Sequence, residues 1–144
     1  MKNNALLFVS ILAFFFNSCT SIKSSKSTTD LYDVTWELEY ISGSRIAFEG
    51  LYPEKKPQIV FNENTKEVLG NSSCNGYGSK YTLADKSIIF GESNPTTMMY
   101  CDGGGEQVFL QMIKKINNYS IDKDNKLNLM IGQVPMMRFK KGSK

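Results

Sequence analysis

A chain of 144 residues carrying a formal charge of +3, with 41% hydrophobic residues, has the size and balance of one domain plus a short appendage. Its lysines are scattered and gather on no element, so no basic face for nucleic acid exists. It contains no histidine, which removes His-based general bases, Ser-His-Asp triads, Cys-His dyads and the usual zinc sites together.

Residues 1–18 read as a targeting segment. Lys2 supplies a positive start, and Ala5 to Phe16 is apolar apart from Ser10. A bilayer needs about twenty apolar residues, so the run fits a signal-peptide core instead. The following Phe16-Asn17-Ser18-Cys19 resembles a bacterial lipobox, with Phe16 and Asn17 replacing the more usual Leu and small residue. That resemblance implies a diacylglyceryl group on the Cys19 thiol, cleavage after Ser18 and acylation of the new amine. The acyl chains, such as palmitate, would then hold the protein to a membrane, each buried CH₂ contributing about 0.8 kcal/mol. Residues 19–30, rich in Ser, Thr and Lys, cannot build a core and read as a flexible tether. No acidic cluster follows Cys19, which favours the periplasmic face of an outer membrane in the bacterial cell envelope.

Three cysteines leave one thiol over in an oxidising compartment. If Cys19 carries lipid, Cys74 and Cys101 remain as a disulfide pair, whose loop closure is worth on the order of 3.5 kcal/mol.

The folded part, 31–144, opens with Thr35 to Ile41, where Trp36, Leu38 and Tyr40 alternate with Thr35, Glu37 and Glu39 as in a half-buried strand. Lys56 to Phe61 and Glu67 to Gly70 are further strands, with Pro57 at a strand start, where its missing N–H is tolerated. Gly70 to Gly78 packs three glycines and two asparagines around Cys74, a node demanding turn or left-handed backbone. Ser79–Leu83 and Ser87–Phe90 follow as strands. Val108, Met112 and Ile116, widened by Phe109 and Ile113, mark one helix over about 105–117 with Glu106 in its first turn. Three short strands close the chain at Tyr119–Ile121, Leu127–Ile131 and Pro135–Phe139. About eight short strands, one helix and no βαβ alternation predict an α+β antiparallel domain, a curled sheet or small barrel wrapped on the helix.

Several constellations invite chemistry. A reactive Cys74 would need a cation or helix N-terminus to lower its pKa, and no CxxC is present, so the structural pairing with Cys101 is the stronger reading. Asn71 and Asn75 suit turns more than a pocket. Asp122, Asp124 and Asn125 lack the Gly and distal Glu of a calcium loop. Neighbouring methionines in a strand face opposite sides, so Met98-Met99 and Met136-Met137 read as core filling, not copper ligands. Glu37 and Glu39 share the polar face of a strand. No catalytic, metal or cofactor site is expected, and the chain reads as a non-enzyme.

Taken together these segments resemble the META/HslJ-like family of small bacterial envelope proteins. The resemblance rests on Trp36-Glu37-Leu38, the G-x-x-G-C-N-x-aromatic node at Gly70 to Tyr77, Thr97-Met98-Met99-Tyr100-Cys101, Glu106 with Phe109-Leu110, Leu127-x-Leu129 and Arg138-Phe139. It runs from Trp36 to Phe139 and departs at Ser73, where the family prefers Gly, and at Tyr100, which replaces a small residue. It implies antiparallel strands curled around a helix, an association with envelope-stress responses, and no established active site. The expected function is a lipid-anchored, monomeric envelope domain that binds a partner protein or apolar ligand. The alternative is an inhibitor of a cell-wall-degrading, lysozyme-type enzyme.

Overall fold

The computed structural model describes residues 30–94 and 97–142. The signal peptide, Cys19 and all of the tether except Asp30 lie outside the described residues. Eight strands form a closed antiparallel ring: β1 (Trp36–Ile41), β2 (Gln58–Asn62), β3 (Glu67–Asn71), β4 (Gly76–Ala84), β5 (Ser87–Phe90), β6 (Asn118–Ile121), β7 (Leu127–Ile131) and β8 (Val134–Lys141). Each pairs with the next in sequence, and β8 returns to β1, so the expected small barrel is the observed architecture. The weakest seam lies between β5 and β6, joined by the single pair Ser87 and Asn118.

Two helices accompany the ring, α1 (Phe48–Leu51) and α2 (Gly105–Ile113). The first was not legible, since four residues carry too little periodicity to signal a helix. The second stops four residues before Asn117. There Asn117 N–H donates to Met130 O and Asn117 O accepts from Ile88 N–H, so the sheet claims the backbone that a longer helix would need. Phe109 and Ile113 are buried on the inner face of α2, and the Phe109 ring meets Tyr77 edge-on, centroids 5.5 Å apart.

The interior is filled by large side chains from every side of the ring, among them Trp36, Phe61, Phe109, Met137 and Phe139, all wholly buried. Strand β1 shows one departure from simple alternation. Tyr40 is 47% exposed while Ile41 is buried, because the register against β8 shifts between Leu38 and Tyr40 and turns the next residue inward. Trp36 anchors the start of the domain by donating from Nε1 to Leu31 O at 3.0 Å.

The outer face of the ring is laced by ion pairs, Lys126 with Glu39 at 2.7 Å and Lys140 with Glu37 at 3.2 Å. The Glu37 carboxyl is held below its ordinary range by a hydrogen bond from Gln58, against a smaller effect of burial, with Lys140 assisting. For Asp122, burial pushes upward, yet the Lys126 backbone N–H and the Asn128 amide hold it low on balance. Depressed carboxyls stabilise the folded state above their unfolded pKa of about 4 and lose that contribution as pH falls through the folded values. The chain contains no histidine, the side chain whose ordinary pKa falls between pH 5 and 8. Stability is therefore expected to stay level from about pH 5.5 to 8.5 and to fall below about pH 4.5. At the alkaline end burial pushes Tyr77 up to about 12, so stability is lost as pH climbs from the unfolded tyrosine value of about 10 toward it. Urea midpoints measured across pH check this; a step between pH 6 and 7 would contradict it.

Candidate functional site

The node opens where β3 ends. Gly70 sits where β2 and β3 run so close that a Cβ would stand 1.9 Å from Gln58 O. Asn71 Oδ1 then accepts from Ser73 N–H at 3.1 Å, an Asx-turn, and Ser73 takes φ +98. Ser73 thus adopts a glycine-type backbone without being glycine, while its hydroxyl donates to Lys55 O. The node is shorter than it reads in the sequence, because β4 already begins at Gly76.

Asn75 is the centre of the site. Its side chain is 6% exposed and makes four hydrogen bonds, the full capacity of an amide. Nδ2 donates to Met99 O at 2.9 Å and to Glu106 Oε2 at 2.8 Å. Oδ1 accepts from the Thr97 hydroxyl at 2.8 Å and from Met99 N–H at 2.7 Å. Ser72, also buried, donates to the other Glu106 oxygen, so the carboxylate in the first turn of α2 is gripped from two sides. Cys74 and Cys101 lie beside this clasp, joined by a disulfide with Cα atoms 5.8 Å apart. The node, the 97–101 segment and the start of α2 are therefore tied together. The Asn75 carbonyl closes the turn by accepting from Ser72 N–H, but its side chain reaches outward to the 97–101 segment and α2 instead of bonding the turn's own backbone.

Helix α2 docks at this end through close contact. Tyr52 OH donates to Gly105 O at 3.0 Å, and a Cβ on Gly105 would stand 2.3 Å from Leu51 O. Burial pushes the Tyr52 hydroxyl pKa far above its ordinary value.

Above the clasp stands an exposed loop. Met98 is 98% exposed, Met99 58% and Tyr100 92%. Core filling, expected for all four paired methionines, holds for Met137, which is buried, and fails for Met98 and Met99. A groove of about 200 Å³ runs beside the loop, lined by Glu54, Lys55, Ser73, Met99, Asp102 and the two cysteines among others. Among the described residues no three His, Cys, Asp or Glu side chains converge to hold a metal ion. Asp122 Oδ1 accepts from Asp124 and Lys126 N–H groups, which gives that acidic stretch the geometry of a hairpin turn.

The loop lies at the opposite pole from the chain's entry. Tyr32 bridges to Phe61 beside the β2–β3 turn, and Lys66 of that turn covers the Tyr32 ring at 5.7 Å. The node lies at the other end of the same two strands, where Gln58 pairs with Asn71. The five residues of β3 separate the two ends, about 13 Å at the usual rise per residue.

Comparison with known proteins bears on the fold and the family. A solved NMR structure of a protein from Burkholderia xenovorans superposes with a TM-score of 0.62 at 21% identity, covering 81% of this chain and 86% of that one. A second NMR structure gives a TM-score of 0.55 at 16% identity, over 77% of this chain and 92% of the other. At such identities the likeness speaks for the shared fold alone. No curated protein matches the chain. The model of the META domain matches residues 29–143, which takes in every strand of the ring, the Asn75 clasp and both bridged cysteines. The chain belongs to the META domain family.

Proposed function

We propose that this protein is a non-enzymatic, lipid-anchored domain of the bacterial envelope that binds a partner protein through the Met98-Met99-Tyr100 loop and so supports envelope stress tolerance. One observation carries the reading: three consecutive exposed apolar side chains sit on a segment held at Met99 by a buried, fully bonded asparagine and at Cys101 by the disulfide. Runs of exposed apolar residues raise the risk of aggregation and persist where they serve contact. Methionine and tyrosine are both enriched in protein interfaces, and prior fixation of the backbone lowers the entropy lost on binding. The filled barrel interior favours a surface partner over an enclosed apolar ligand.

Crosslinking the lipidated protein in its own envelopes, followed by pull-down, tests the reading against Met98→Asp/Tyr100→Asp. Both side chains are almost wholly exposed, so the variant should keep its melting temperature. A partner recovered with the parent should fall at least thirtyfold with the variant, about 2 kcal/mol of interface energy. Equal recovery by both contradicts the role of the loop. Mass spectrometry of the mature N-terminus checks the anchor, and an unmodified terminus other than Cys19 would sink that part.

A second reading is favoured by the loop's shape. A protruding segment pinned by a disulfide suits insertion into an enzyme cleft, as an inhibitor of a lysozyme-type enzyme would require. Stoichiometric inhibition of such an activity, lost in the same variant, would select it.

A further inference from the structure

We propose that the Cys74–Cys101 bridge is a thiol-exchange site, opened by attack of a dithiol reductant on Cys101 Sγ. Three features of this end of the barrel point there. Cys101 is exposed at the groove of about 200 Å³, whereas Cys74 is 9% exposed and has Met99 O at 3.4 Å from its sulfur. A carbonyl oxygen against one sulfur repels an incoming thiolate there, which leaves Cys101 as the accessible electrophile.

The second feature is what the bridge holds. Met99 is fixed by Asn75 through both its N–H and its carbonyl. Gly103 packs so closely on α1 that a Cβ would stand 2.7 Å from Gly50 O, and Gly105 is bonded by Tyr52. Between these two fixed points Tyr100, Cys101 and Asp102 are all exposed, and no side chain among the described residues hydrogen-bonds to them. Beyond the local turn at 102–103, the disulfide is what ties them down. The node on its other side is secured by Ser72 and Asn75 on Glu106 without it.

The third is the groove's lining. Lys55, Glu54 and Asp102 line it and are all exposed, so the approach is wet and open. Exposed bridges of this kind belong to the exchangeable class, in contrast to those enclosed in a core.

The step balances as ordinary exchange. The reductant's thiolate forms a bond to Cys101 Sγ as the Cys101–Cys74 bond breaks, and Cys74 leaves with the electron pair and takes a proton from water. The reductant's second thiol, as thiolate, attacks the sulfur of its own first thiol and releases the Cys101 thiolate, which is protonated in turn. Two electrons pass from the dithiol to the protein, and the reductant ends as an internal disulfide. Opening frees residues 100–102, Tyr100 of the exposed loop among them, while Met99 and α2 stay in place.

The test uses the oxidised protein and 2-mercaptoethanol in a brief pulse, quenched with acid and mapped by peptide mass. The mercaptoethanol adduct should fall on Cys101 in at least about tenfold excess over Cys74. The reaction should run within about tenfold of the rate for oxidised glutathione, and urea below the unfolding transition should not accelerate it. After full reduction with dithiothreitol, amide shifts should change at 100–102 and stay unchanged at Asn75, Met99 and Tyr52. An adduct mainly on Cys74, reduction that proceeds only in unfolding urea, or global loss of structure on reduction would each overturn the proposal. These readouts need no partner protein, so they succeed or fail independently of the role proposed for the loop.

Discussion

Replacing Asn75 by Ala is expected to destabilise the domain by about 3 kcal/mol, the sum of four modest hydrogen bonds and the groups they would leave unpaired. For a domain of this size that lowers the melting temperature by roughly 10–15 °C. The loss should be concentrated, because the four partners belong to only three residues, Thr97, Met99 and Glu106. The barrel does not depend on them directly, so circular dichroism of the folded variant should match the parent while urea denaturation shows the deficit. Asn75→Asp separates the two halves of the amide. It keeps an acceptor for Thr97 and Met99, yet it sets a second carboxylate where Nδ2 lies 2.8 Å from Glu106 Oε2. Like charges at that distance repel, so at pH 7 Asn75→Asp should be no more stable than Asn75→Ala. A variant as stable as the parent would mean that the Glu106 contact contributes nothing.

Gly70→Ala should cost at least as much, by a different route. Its Cβ would meet Gln58 O at 1.9 Å, Gln58 C at 2.8 Å and Ile59 Cα at 2.9 Å, all backbone of the paired strand β2. No side chain can swing aside there, so β2 and β3 must separate where Gln58 pairs with Asn71 and Ile59 with Gly70. Overpacking that moves backbone costs upwards of about 3 kcal/mol. Gly104→Ala is the control. That glycine has φ +66 and open space around the Cβ position, so only backbone strain of about 1 kcal/mol should appear. Equal midpoints for the two variants in urea would contradict the steric reading of Gly70.

The strands and the barrel were legible because period-2 alternation is a local property, written over five or six neighbouring residues. Tyr40 shows the limit of that code. Its inward placement follows from alternation alone, and the slip of β1 against β8 is a relation between chain ends that no local window contains. Asn75 marks the same limit at the site. Its partners lie 22, 24 and 31 residues away, so its glycine-rich neighbourhood pointed to a turn. A signal was nonetheless present. Three of the six segments that carried the family resemblance, Gly70 to Tyr77, Thr97 to Cys101 and Glu106 to Leu110, are the ones that Asn75 and the disulfide draw together. Met98 and Met99 were misplaced for a plainer reason. Methionine is adaptable enough for core and contact surface alike, and only the fold decides which.

A buried asparagine that holds an exposed loop leaves a signature in hydrogen exchange. The Met99 N–H donates to Asn75 Oδ1 at 2.7 Å, while its neighbours Met98 and Tyr100 are nearly fully exposed. In native-state exchange the Met99 amide should therefore be about a hundredfold or more slower than the amides of Met98 and Tyr100, an isolated protected position in an otherwise open loop. Exchange at Met99 as fast as at its two neighbours would contradict the clasp.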